Sequence, residues 1–201
     1  MFMHVGYFFK KIDGRIKNLF RGKYVWDALK SEMDFEKKIL GKVRNSEVGN
    51  VFIGKGTVVK PFSVIEDDVY IGENCVVGPH AFIRKGTIIL DNCFIGRAEV
   101  KHSIIMGGVH AHHTSHILDS IIGNNCNIAA QFTTANLRFD NRNIVINGID
   151  TGMRKMGVIM GDNTKTGIMS STMPGTLIGP DSVLFPHKRA KGVYGKNSLI
   201  K

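Results

Sequence analysis

The residues best equipped for chemistry lie in VHAHHTSH, residues 109–116, which puts four histidines into eight positions. Imidazole titrates near neutral pH, so such a run can move protons, bind a transition metal or act as a polar seam. Cationic side chains offer a second chemistry. The 201-residue chain carries a net charge of +10, and residues 1–45 hold eleven Lys+Arg against five Asp+Glu. That asymmetry suits an anionic partner or a solvated basic appendage. No aromatic-plus-glycine RNA signature accompanies it, so nucleic acid is not an expected partner.

What these residues can do depends on the backbone beneath them, and the backbone announces itself as a repeat. Ile53, Val59, Ile65, Ile71, Val77, Ile83, Ile89 and Ile95 follow one another at intervals of six, and a smaller residue stands two positions before each. The frame slips by one at Val100 and Ile105, resumes at Ala111 and Ile117, and slips again to Ile122 before Ile128 and Thr134. A second block runs Met160, Thr166, Thr172, Ile178 and Leu184. This pattern predicts an all-β fold, a parallel β-helix of hexapeptide units, each a short strand plus a corner, three to a coil. The left hand of the helix is what such repeats resemble. One coil cannot bury its own face, so stability comes from stacking.

The domain expectation is a basic helical appendage over 1–45, the β-helix over 46–190 and a tail over 191–201. Phe9, Ile12, Ile16, Leu19 and Phe20 suggest one amphipathic helix, and Trp26, Leu29, Met33 and Leu40 a second. Such helices could cap the open top of the prism, pack subunits, or rest residues 1–25 on a membrane surface. Residues 138–157, RFDNRNIVINGIDTGMRKMG, form a polar excursion, a common location for ligand contacts. Cys75, Cys93 and Cys126 all occupy the small inward slot and are expected to be packed and reduced. Three cysteines without a C-x-x-C pair, no long apolar run and no secretory leader point to the cytoplasm.

On an extended strand side chains alternate, so His110 and His112 share a side and a third metal ligand would have to come from elsewhere. A metal shared between subunits is one alternative and a polar surface run another. Residues 99–140, EVKHSIIMGGVHAHHTSHILDSIIGNNCNIAAQFTTANLRFD, resemble the acetyltransferase half of the bifunctional glucosamine-1-phosphate acetyltransferase/N-acetylglucosamine-1-phosphate uridylyltransferases, in particular the archaeal-type sugar-phosphate nucleotidylyltransferase/acetyltransferases. KYVWDALK at 23–30 and DTGMRKMGVIMGDNTKTGI at 150–168 look like the same group, and the likeness covers most of residues 23–187.

The resemblance implies transfer of an acetyl group from acetyl-CoA to a sugar amine. His113 falls on the family's general-base position, in a stretch similar to H-L-S/T-Y-x-G-D, and the amide of Ala130 falls on the oxyanion donor of N-I-G-A-G. Imidazole suits proton removal from an attacking amine, and a fixed N–H suits the oxyanion. Arg84, Lys101 and Lys155 match cations that hold a phosphate, and Glu99, Asn127 and Asn136 match polar sugar contacts. The coils holding Ile168 and Pro186 would run along the pantetheine arm of acetyl-CoA, with Lys188, Arg189 and Lys191 near its phosphates. No metal is expected for this transfer. The family also implies a homotrimer, with sites between neighbouring prisms.

The chain departs from the pattern at His116, where the family has tyrosine, at Leu118, and at Ala129 and Gln131, where it has glycine. These changes bear on the sugar and on the acyl slot, since glycine permits close approach and positive φ. No phosphate loop of a nucleotidylyltransferase is recognised, so a separate chain is expected to supply that activity. The leading expectation is an acetyltransferase acting on an amino-sugar phosphate or related sugar. The alternative is a degenerate β-helix scaffold or regulatory subunit that partners a nucleotidylyltransferase. A zinc enzyme built on the histidine run is a third expectation.

Overall fold

The computed structural model describes residues 3–30 and 50–201. Short strands succeed one another around three faces of a prism, and each strand pairs in parallel with the strand one coil away. The first face has eight strands: Val51–Ile53, Val69–Ile71, Thr87–Ile89, Ile104–Ile105, Ile121–Ile122, Val158–Met160, Thr176–Ile178 and Val193–Tyr194. The second face runs from Val58–Val59 to His110–Ala111, passes through Asn127, and continues from Lys165–Thr166 to Leu199–Ile200. The third face has seven strands, from Val64–Ile65 to Arg189–Ala190. The fold is the expected parallel β-helix.

The six-residue period becomes a column of inward side chains. Ile71, Val77, Ile83, Ile89, Ile95, Val100, Ile105, Ile117 and Ile122 are fully buried in one continuous core. Burying an aliphatic side chain of this size contributes about 1.5–3 kcal/mol. The frame slips shorten the coil: Ile88 pairs with Ile104 and Ile104 with Ile121. The excursion lengthens it, so that Ile121 pairs with Ile159.

The small inward position has a polar duty as well as a steric one. Cys75 Sγ donates to the Leu90 carbonyl at 3.1 Å, Cys93 Sγ to Met106 at 3.1 Å and Cys126 Sγ to Gly161 at 3.2 Å. Thr57 Oγ1 does the same toward Gly72 at 2.7 Å, as does Ser182 Oγ toward Gly195 at 3.2 Å. Each donor satisfies a corner carbonyl that no strand bond reaches. All three cysteines are free and buried.

The N-terminal segment differs from the expected helices. It has a four-residue α-helix, Val5–Phe8, and two 3-10 turns, Lys17–Arg21 and Val25–Leu29. Phe9 and Ile12 lie outside these turns, and Met33 and Leu40 lie outside the described residues. The segment runs along the outside of the first face. Phe8, Ile16 and Trp26 pack with Tyr70, Ile88, Ile104, Ile121, Ile159 and Leu177 in a second apolar cluster. The physical reason is visible in the strands. Ile88-Ile89, Ile104-Ile105 and Ile121-Ile122 are apolar on both sides, as strands buried on both faces must be. The outward isoleucines need a cover, and the segment supplies it. Phe8, Phe9, Phe20 and Trp26 are therefore buried in the cluster against the prism. No helix among the described residues is long and apolar enough to cross a membrane.

Two more boundaries are placed by the coordinates. The excursion forms an antiparallel pair, Val145–Ile146 with Ile149–Asp150, and sends Ile144, Ile146 and Met156 into the second cluster. Residues Val193–Tyr194 and Leu199–Ile200 continue the stacked coils, so the stretch after 191 is part of the solenoid and not a free tail.

Candidate functional site

The four histidines divide between two faces. His110 lies on the second face, outward and exposed. His112 Nε2 meets His110 Nδ1 at 3.2 Å, and its ring stacks on Phe94 at 3.8 Å between centroids. Partial burial, with His110 and His113 nearby, lowers the pKa of His112, which favours its neutral form. His113 turns the edge between the second and third faces, exposed, with its ring 6.3 Å from that of His112. No hydrogen bond orients its ring among the described residues. His116 points out from the third face. Among the described residues no group of three or more His, Cys, Asp or Glu side chains is arranged to hold a metal.

The edge that carries His113 also carries the residues assigned to the acyl donor. Thr114, Ala130, Ile168 and Pro186 form one column. The Gln131 amide donates to the Thr114 carbonyl at 2.6 Å, Met169 to Ala130 at 2.8 Å and His187 to Ile168 at 2.9 Å. The Ala130 N–H has no acceptor among the described residues. Gln131 takes the left-handed φ of +60° that glycine would accept freely, and its side chain is exposed. Lys188 and Arg189 follow the column onto the third face, where Arg189 pairs with Ser171.

Two polar clusters occupy the third face and its far edge. In the first, His116 Nδ1 lies 3.2 Å from Glu99 Oε2, and Arg84 Nη1 donates to Glu99 Oε1 at 2.9 Å. Arg84 Nε is also 3.5 Å from Glu66 Oε1, so this guanidinium already serves two carboxylates. Burial pushes Glu99 up, but hydrogen bonds from Arg84 and His116 outweigh it and hold the carboxyl below its ordinary pKa.

In the second, buried Asp119 gathers His102 Nδ1 at 2.9 Å, Lys101 Nζ at 3.8 Å and an Asn136 Nδ2–H donor. Lys155 lies nearby, bridged through its backbone to Leu137. A hollow of about 520 Å³ opens here, lined by Lys30, Lys101, His102, Arg154 and Lys155. Such a concentration of cations suits an anionic group.

The structure thus groups Arg84, Glu99 and His116, and separately Lys101, Asn136 and Lys155. Asn127 stands apart on the second face, between His110 and Lys165. Asp119, His102, Lys30 and Arg154 had no role in the sequence reading. Asp119 was within the quoted motif, yet nothing in its spacing says that it is buried or that His102 stacks beneath it.

Comparison with known proteins agrees with the repeat. Residues 50–85 match the family described as bacterial transferase hexapeptide (six repeats), and residues 84–157 match GlmU-like, C-terminal hexapeptide. The chain is 43% identical over 192 residues to the Bifunctional protein GlmU of Methanococcus maripaludis, covering 87% of this chain and 47% of that protein. It is 38% identical over 92 residues to the bifunctional sugar-1-phosphate nucleotidylyltransferase/acetyltransferase of Sulfurisphaera tokodaii, covering 44% of this chain and 23% of that protein. The chain spans about half the length of the first of these relatives. Among solved structures, a mutant of GDP-perosamine N-acetyl transferase from Caulobacter crescentus, in complex with CoA and GDP-perosamine, aligns at 14% identity and a TM-score of 0.30, covering 70% of this chain and 54% of that one. That alignment is too loose to bear on the site.

Proposed function

The chain belongs to the GlmU-like hexapeptide-repeat family, and from that premise we propose that it transfers an acetyl group from acetyl-CoA to an amino-sugar phosphate or a related sugar. The observation that carries the proposal is the edge column. Ala130, Ile168 and Pro186 stack coil on coil beside His113, a straight track on which an extended thioester arm can lie. The Ala130 N–H is free to meet the oxyanion that forms when an amine attacks the thioester carbon. An imidazole takes the proton released by the amine, a part that the family pattern gives to His113. Lys101 and Lys155, across the third face, hold the anionic end of the acceptor. The working unit is a homotrimer, in which a neighbouring prism closes the edge.

A screen for CoA release over amino-sugar phosphates and nucleotide-linked amino sugars tests this reading. Release with one acceptor and not with the others is the expected result. The scaffold alternative draws on Ala129 and exposed Gln131, which stand where the family has glycine. Absence of acetyl-CoA binding at millimolar concentration would favour that alternative and overturn the enzymatic one.

A further inference from the structure

We propose that His110 and His112 form a two-imidazole chelate for a divalent transition-metal ion of the copper, nickel or zinc class, on the outer surface of the second face. The site needs neither the acyl-transfer reading nor a part in that reaction. Its basis is one distance: His112 Nε2 stands 3.2 Å from His110 Nδ1. Two imidazole nitrogens at about 2.0–2.1 Å from a shared ion lie about 2.9–3.4 Å apart when the angle between them runs from a right angle to tetrahedral. The pair already has that spacing. The strand explains it. Ala111 pairs with Ile95 and is fully buried, so its two neighbours both turn outward, and both are exposed. Stacking fixes the backbone from both sides: the His110 amide donates to the Cys126 carbonyl at 3.0 Å, and the His110 carbonyl accepts from the Ile128 amide at 2.8 Å. Phe94, one coil back, holds the His112 ring flat against its own, at 3.8 Å between centroids and 9° between planes. The ordering that a metal site usually requires on binding is thus supplied by the fold.

The surroundings select the ion. His110 shares its outward column with Val76 and Phe94 on the preceding coils and with Asn127 and Lys165 on the following ones. None of these is a carboxylate, so the column does not offer the carboxylate shell that calcium or magnesium prefers. Neutral imidazole suits copper, nickel and zinc instead. Partial burial, with His110 and His113 nearby, favours the neutral form of His112, which is the form that ligates. In the metal-free pair one proton lies between the facing nitrogens. On chelation that proton moves to the outer nitrogen of the same ring, both facing lone pairs bind the ion, and a neutral pair loses no proton. Water fills the remaining positions, and Asn127 is the polar residue in register with His110 on the next coil. The other two histidines of the run are not ligands. The His113 ring lies farther off, 6.3 Å from that of His112 against 5.2 Å for His110. His116 is engaged with Glu99 on the third face.

The test uses the full chain, purified without a histidine tag and stripped with EDTA. Copper, nickel, zinc and magnesium chlorides are titrated calorimetrically into the parent and into His110→Ala, His112→Ala, His113→Ala and His116→Ala. All four side chains are exposed, and far-UV circular dichroism checks that each variant is folded. The parent should bind one copper, nickel or zinc ion per chain beyond what His110→Ala or His112→Ala binds, with copper held most tightly and magnesium not at all. Loss of either ligand should weaken the site by more than the about 10–100-fold that loss of an outer-shell partner costs. His113→Ala and His116→Ala should bind as the parent does. Electron paramagnetic resonance of the copper-loaded parent should show coupling to two imidazole nitrogens. Equal binding by the parent, His110→Ala and His112→Ala overturns the proposal, as does a site lost with His113→Ala or His116→Ala instead. Neither result touches the acyl-transfer reading, which the CoA-release screen decides by itself.

Discussion

His102 and Asp119 meet at 2.9 Å on successive coils, each at a corner with φ of +48°. The Asp119 amide donates to the carbonyl of Lys101, so the carboxylate is fixed by the same stacking that builds the fold. Only 4% of the Asp119 side chain is exposed. Burial pushes its pKa up, but hydrogen bonds from His102 and Asn136, with the charge of Lys101, more than offset this and leave it below the ordinary value of 3.8.

A depressed carboxylate stabilises the folded state above its unfolded pKa and ceases to do so as pH falls through the folded value. Urea unfolding of the parent chain should therefore weaken below about pH 4. Asp119→Asn should lower stability at pH 7 by about 2 kcal/mol and flatten this acid dependence. Parallel pH profiles for the two proteins would show that Asp119 is not the group concerned.

The N-terminal segment is tied to the prism by Arg15, whose Nη2 lies 2.6 Å from Asp91 Oδ2 and whose Nη1 donates to Tyr70 Oη at 3.0 Å. These groups are about a third exposed, so solvent screening limits the ion pair to about 1 kcal/mol. Arg15→Ala should loosen the segment without unfolding the coils. Trp26 is the single tryptophan and is fully buried, so its emission should move to the red at lower urea than the far-UV transition.

Cysteine chemistry should be silent in the native protein. Burial pushes the Cys126 thiol up to about 12, and hydrogen bonding with Cys75 together with burial raises Cys93. Hydrogen bonding with Cys93 lowers the Cys75 thiol to about 7, but its sulfur is fully buried inside the prism, where a reagent does not reach it. Thiolates are the reactive form. A thiol reagent should label none of the three in native buffer and all three in denaturant. Stoichiometric labelling of the native chain would place a cysteine outside the core.

Gly96 faces the next coil at the edge that carries His113. A Cβ there would collide with the His112 carbonyl. Gly96→Ala should cost about 1–3 kcal/mol in thermal unfolding and displace the His112–His113 corner. If the acyl-transfer site lies on that edge, turnover should fall by more than the loss of folded protein explains. A change confined to the melting temperature would place the site elsewhere.

The repeat was legible because its cause is local. A six-residue unit admits an aliphatic side chain inward and a small one before it, and any sequence that meets this demand coil after coil writes the period into itself. Even the slips at Val100, Ile105 and Ile122 could be read before the shortened coils were seen. The N-terminal segment was not legible in the same way. Phe9, Ile12 and Ile16 have helical spacing, but the outward row of Tyr70, Ile88 and Ile104 decides where apolar residues go, and that row exists only once the strands are stacked. The same holds for the charges. Arg84 looks like a free cation in the sequence, yet stacking sets Glu66 and Glu99 on either side of it. Residues about a coil apart in the chain become neighbours at strand spacing, about 4.8 Å. Sequence alone therefore determined the prism and the column of inward side chains. Tertiary stacking decided which imidazole has a carboxylate, which cations share a hollow and which face is covered, because each of those depends on contacts between coils that no local pattern specifies.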